Sequence, residues 1–451
     1  MAARSFYRSS PVLCLALGAC LILALPLAAF GQTTAADFHI RGLDKQAKGD
    51  LDGAIADYSR AIELDPTSAQ VYTNRGNAKL AKRDLDGAIA DYSRVIELDP
   101  KLPLAYLVRG NAKEAKRDFD GNIADCTHAI ELDPKFAYAY CNRGLAKEGK
   151  RDLDGAIADF DHAIELDPKL YVAYQGRGDA KQAKRDLDGA IADYSHAIEL
   201  EPQVMLPSAY CARGYAQQVK GDLDAAIADF SHAIELDPKV PIAYCGRGIA
   251  KQIKGDLDGS IADYTHAIEL DPKQSVAYER RGNAYFVQRK WNDALTDFRR
   301  CCELNPKIQD SNQHFIIWLI RTRLNEKDAA NKELAAYMNQ RTNGAPDDWP
   351  SKIASFLLDK TDETTFLAVA ASKDANTDSG QHCVAYFYCG MKHLLGGDQT
   401  TAKECFKKCL ATGKTQWSVC VFAQAELTAL APELNHKDAN SPLPADPNQK
   451  P

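Results

Sequence analysis

The sequence lacks an excess of basic residues: lysine and arginine number 55 against 62 aspartates and glutamates, a net charge of -7. Nucleic-acid binders draw most of their affinity from a basic face, so this balance argues against that class. Glycine (28) and proline (20) are too few for a fibrous or largely disordered chain. Absent too are a glycine-rich phosphate loop, a zinc-protease helix and a nucleophile elbow, the short motifs that announce phosphoryl transfer, metalloproteolysis and serine acyl transfer. What is present is 45% hydrophobic and 26% charged residues in 451, enough apolar material for a long core or two to three domains.

Positions 1–31 read as an export signal or an anchor. Arg4 and Arg8 precede an apolar run from Val12 to Phe30 that closes on Ala29-Phe30-Gly31. Cleavage after Gly31 leaves a chain starting at Gln32; uncleaved, the run is close to bilayer length. Either way the positive end stays inside, and the body is expected in the periplasm or secreted, membrane-anchored if the segment remains.

Beyond it the chain repeats. Pro66, Pro100, Pro134, Pro168, Pro202, Pro238, Pro272 and Pro306 recur with a period of 34, broken by a single step of 36 between Pro202 and Pro238. Counted from Ala35, Ala69, Pro103, Ala137, Tyr171, Pro207, Pro241 and Ser275, position 8 is always glycine. Position 20 is small, and position 24 is aromatic except at Cys126. A small residue on each of two helices lets the backbones approach, an aromatic fills the wedge, and proline turns the chain. Arginine holds position 7 in all eight units and aspartate holds position 23, which predicts an ion pair across each helical hairpin.

These units resemble tetratricopeptide (TPR) repeats, in phase over residues 35–307. The resemblance implies an all-α, right-handed superhelix whose positions 2, 5, 9, 12 and 13 line a concave groove. Those slots in units 6 to 8 supply Tyr215, Val219, Ile249, Ile253 and Phe286, an apolar patch suited to a partner helix or peptide. Asn77, Asn111 and Asn283 at position 9 add polar contacts, and Cys141, Cys211 and Cys245 at position 5 add small, semi-apolar ones. Lysine and arginine are missing from positions 5, 9 and 12, which argues against a clamp for a peptide's terminal carboxylate.

Residues 308–382 read as a worn repeat plus connecting helices, with Trp318 in the glycine slot, a helix opened by Trp349-Pro350, another capped by Thr361, and a polar loop from Lys373 to Gly380. Residues 383–431 read as a ninth unit and a capping helix, and 432–451 as a disordered tail. This last third is similar to the NlpI-type bacterial outer-membrane TPR lipoproteins, a resemblance that implies an adaptor role in the cell envelope. Position 26 carries His128, His162, His196, His232 and His266, spaced too far apart to share a metal and read as basic residues between acids. Thirteen cysteines, five of them between 383 and 420, predict at least one disulfide in an exported chain. Cys389 and Cys405, standing where other units carry the arginine and aspartate, are the candidate pair. No catalytic set, cofactor, metal ligand or nucleic-acid partner is identified. The expected function is a non-catalytic scaffold that binds other envelope proteins or peptides. The rivals are an enzyme seated in the last third and a carrier of a small ligand.

Overall fold

The computed structural model describes residues 34–200, 207–305, 312–341, 348–371, 375–414 and 418–431. The expected export segment and the expected tail lie outside these. The described residues form 23 α-helices and no strand, and within each body sequential helices pack as neighbours. None of these helices is long and apolar enough to cross a membrane. The chain divides into two compact bodies between Lys220 and Gly221.

The first unit shows how a hairpin is built. Its helices, Ala35–Ala47 and Leu51–Leu64, are separated by Gly49 in a left-handed conformation (φ 82°). Asp50 caps the second helix by accepting the Gly53 N–H at 2.9 Å. Tyr58, fully buried, lies so close to Gly42 that a Cβ there would meet its ring at 2.5 Å. The repeat therefore requires glycine opposite the aromatic.

Within each body the expected ion pairs form, and they do more than close hairpins. Arg75 donates through Nε and Nη2 to the two oxygens of Asp91 at 3.0 and 2.6 Å. Arg109–Asp125, Arg143–Asp159, Arg177–Asp193, Arg247–Asp263 and Arg281–Asp297 repeat this bidentate geometry, and Arg41 engages Asp57 in the same way. The third nitrogen, Nη1, reaches back to the preceding unit: Arg75 to Ser59 Oγ at 3.1 Å, Arg143 to Thr127 Oγ1 at 3.3 Å, Arg281 to Thr265 Oγ1 at 3.0 Å. Each guanidinium also lies over the position-4 ring of its own unit, as Arg75 does over Tyr72 at 5.5 Å. One arginine thus joins both helices of a hairpin to the hairpin before it.

A lysine at position 11 adds a second cation to most of these aspartates, such as Lys45 to Asp57 at 2.8 Å. The Arg41 guanidinium, helped by Lys45, holds the Asp57 carboxyl down at about 2. The eighth unit has Tyr285 in the lysine slot, and burial raises the carboxyl of Asp297 above its ordinary range. The third unit solves its missing aromatic differently. Asn122 fills the space beside Cys126, donating to the Gly110 carbonyl at 3.0 Å and accepting from the Cys126 thiol at 3.3 Å.

In the C-terminal body the irregular segment is built around the largest apolar cluster. Helices Gln313–Arg323 and Lys327–Gln340 pack with Trp318 buried, its Nε1 donating to Asn331 at 2.8 Å. Trp349–Leu357 follows, with proline in its first turn. The next helix, Glu363–Val369, is capped by Asp362, not Thr361. The segment expected as a polar loop is largely helical: Ala375–Leu395 is one helix of 21 residues, so the ninth hairpin starts before residue 383. A Cβ on Gly390 would meet Phe406 at 2.6 Å, the same glycine–aromatic contact as in the regular units.

Candidate functional site

The inner helices carry the residues expected in the groove, and the structure sorts them. In the N-terminal body Val219 is 55% exposed and Tyr215 half-buried, both on Pro207–Lys220. In the C-terminal body Ile253 is 38% exposed and Ile249 half-buried, both on Pro241–Ile253. Phe286 does not line a groove. It is buried in the core, with the Phe422 ring 4.0 Å away and Trp291 at 5.1 Å. Phe422 belongs to the last helix, Ser418–Leu430, which packs against Ser275–Val287, Ala375–Leu395 and Gln399–Ala411. Instead of covering only the end of the stack, this helix lies on the inner helix of the eighth unit. Glu426, 2% exposed, fastens it there by accepting from Arg289 Nη2 at 3.0 Å and from Arg323 Nη1.

The polar groove positions are tied into the scaffold. Asn77 accepts the hydroxyl of the buried Tyr92 at 2.7 Å, and Asn111 accepts from Asn142 Nδ2 at 2.7 Å. Asn283 is buried. Position-24 tyrosines elsewhere bond position 9 or position 12, as Tyr194 does with Asp179 and Tyr264 with Gln252, both at 2.7 Å. Periodicity places these amides on the correct face but cannot show that a tyrosine from the second helix reaches through to hold them. Cys141, Cys211 and Cys245 are buried and do not line a groove; burial pushes the Cys141 thiol up to about 12 and the Cys245 thiol up to about 11. Within each body the position-26 histidines pack on the position-4 rings. His128 lies 4.5 Å from Tyr106, and its Nδ1 is 3.0 Å from Glu131, which explains it without a ligand.

The ninth hairpin corrects the cysteine assignment. Cys389 and Cys405 are both free thiols. Positions 7 and 23 are the neighbours that a guanidinium bridges in the regular units, and here the two thiols that replace it stay unbonded. The cysteines that meet are Cys383, Cys409 and Cys420, all buried. Their sulfurs stand 3.1 Å (383 to 420), 3.6 Å (383 to 409) and 3.9 Å (409 to 420) apart. Hydrogen bonds from Cys409 and Cys420 stabilise the Cys383 thiolate and hold that thiol well below its usual range, while Cys409 is pushed up by the same contacts. Nothing in the spacing singles out these three, because they lie on three different helices at unrelated repeat positions.

The other concentration of titratable groups is an open cleft between Phe356–Glu363 and Lys392–Asp398. There His393 Nε2 is 2.7 Å from Glu363 and Nδ1 is 3.5 Å from Asp398. The nearby Cys389 is no nucleophile for it: burial, reinforced by the Glu363 charge, raises its thiol, the opposite of activation.

Sequence models described as tetratricopeptide repeat match residues 69–102, 137–170, 171–204, 207–240, 242–274 and 275–308, and a further TPR-repeat model matches 45–82. Among curated proteins there is no match. Solved structures that are similar include the MamA protein, at 27% identity over 38% of this chain and 93% of that one, with a TM-score of 0.34. A tetratricopeptide repeat protein from Parabacteroides merdae is 18% identical over 55% of this chain and 98% of its own, with a TM-score of 0.46. YrrB, described as a TPR protein with an unusual peptide-binding site, is 22% identical over 41% and 93%, with a TM-score of 0.35. The repeat spacing, the glycine–aromatic hairpins and the in-phase matches lead to one conclusion: the chain belongs to the tetratricopeptide-repeat family.

Proposed function

We propose that this protein is a non-catalytic scaffold of the bacterial cell envelope, holding a partner helix or an extended peptide against the inner helices of its repeats. The observation that carries the reading is apolar surface left open on the inner helices: Val219 and Tyr215 on one, Ile253 and Ile249 on the other. Burying such side chains on a partner is favourable by about 1.5–3 kcal/mol each when fully covered. The envelope setting rests on the sequence of residues 4–31, a basic start followed by an apolar run and a small-residue end. Repeats of this family generally serve as interaction scaffolds, which supports a protein or peptide as the occupant.

The test is retention of envelope proteins by the immobilised chain. Tyr215→Ser with Val219→Ser, and separately Ile249→Ser with Ile253→Ser, are expected to cut retention at least about tenfold. The helical circular dichroism should stay unchanged, and the chain recovered from the envelope fraction should start near Gln32. Unchanged retention by both double variants would remove the groove reading.

A further inference from the structure

We propose that Cys383, Cys409 and Cys420 are the thiolate ligands of a zinc site between the ninth hairpin and the last helix. The three sulfurs come from three helices, Ala375–Leu395, Gln399–Ala411 and Ser418–Leu430, and converge in the protein interior. Among the described residues no other three histidine, cysteine, aspartate or glutamate side chains gather in this way.

Two edges of the triangle, 3.6 and 3.9 Å, match the sulfur spacing of about 3.8 Å around a tetrahedral zinc, and the 3.1 Å edge would open slightly on binding. A point about 1 Å off the plane of the sulfurs lies about 2.3 Å from all three, the zinc–sulfur bond length. A disulfide would use two of these atoms and leave the third as a buried thiol; one ion accounts for all three. Charge selects a divalent ion. Three thiolates around Zn(II) carry a net charge of minus one, and Lys414, close enough for its charge to act on Cys383, offsets it. A monovalent soft ion would leave two negative charges in the interior, at greater desolvation cost. The fourth position falls to water, since the Thr412 hydroxyl beside the cluster is already committed to the Cys409 carbonyl at 2.7 Å. Binding displaces the protons that the ligand thiols still carry, so affinity rises with pH. Such an ion would tie the last helix to the ninth hairpin and so hold Phe422 over Phe286.

The experiment uses the full exported chain, purified anaerobically under reducing conditions, reconstituted with Zn(II) and desalted. Elemental analysis should give one zinc per chain. Co(II) in its place should give an intense thiolate-to-cobalt charge-transfer band. In competition with a chromophoric chelator, Cys409→Ser should weaken zinc binding by about 100-fold or more, whereas Cys389→Ser should leave it unchanged. If Cys409→Ser does not fold, the Co(II) band of the unmodified chain decides alone. Less than a tenth of an equivalent of zinc with no charge-transfer band overturns the proposal. So does zinc lost equally on Cys389→Ser, or a peptide map of the chain isolated without reductant, its free thiols blocked at lysis, in which Cys383 is joined to Cys420.

Discussion

A single atom, the missing Cβ at position 8, separates two kinds of repeat. At Gly76 an added Cβ would meet the Tyr92 ring at 2.7 Å, but at Gly110 the nearest atom is Asp125 Cβ at 3.5 Å, because Cys126 stands where the aromatic would be. Gly76→Ala should therefore destabilise by about 1–3 kcal/mol through overpacking. Gly110→Ala should be neutral or stabilising by up to about 1 kcal/mol, since alanine is the better helix former and nothing opposes it. Urea denaturation of the two variants compares them directly; equal losses would mean that the glycine serves something other than the ring. The glycine, the small residue and the aromatic are legible in the sequence because each is a volume requirement repeated in register. So is the Arg–Asp pair, since both partners recur in every regular unit. The third bond of the arginine is not, because its acceptor at position 25 is a serine in one unit, a threonine or aspartate in another, and the contact crosses between units.

At the scale of helices, the last third shows where pattern stops informing. Residues 375–380 carry no apolar period and read as a loop, yet they are the first turns of a helix of 21 residues. Its start is held from outside, by Ser379 Oγ donating to the Thr412 carbonyl at 3.0 Å. Tertiary contact overrides weak propensity there. The last helix is legible as amphipathic, but its landing place is not. Phe286 faces the direction the repeat pattern assigns it, and what covers it is Phe422, from a segment far along the chain that no periodicity announces. The buried Glu426 decides that landing. Glu426→Ala removes the acceptor shared by Arg289 and Arg323 and should loosen the last helix by about 3 kcal/mol, the lower range for breaking a buried ion pair. Hydrogen exchange is expected to accelerate across residues 418–431 while residues 35–200 keep their protection. Uniform acceleration along the chain would show that the glutamate supports more than one helix.

Across the molecule, stability is distributed as in other repeat arrays, each unit burying its face on the next. The arginine joint makes that distribution modular. Arg177 donates two bonds to Asp193 in its own unit and one to Asp161 in the unit before. Arg143 donates its backward bond to Thr127. Deleting 137–170, one whole unit, should let Arg177 find Thr127 in place of Asp161. The shortened protein should keep its helical content per residue, with a melting temperature lowered by a few degrees. Deleting only 137–166 puts position 7 out of phase and should cost most of the cooperative transition. Circular dichroism melts of the two deletions check this, and equal behaviour would contradict the joint.

The arginine joint also bears on how such a chain is inherited. Units two to seven each carry the donor at position 7 for the predecessor and the acceptor at position 25 for the successor, as Arg75 and Ser93 do in the second unit. A gain or loss of one repeat's worth of codons, through unequal crossing-over between near-identical units, therefore creates no orphaned donor and no unfilled acceptor. The reading frame, the hairpin and the joint share one period. Selection can lengthen or shorten the array one unit at a time, with each intermediate already a folded protein.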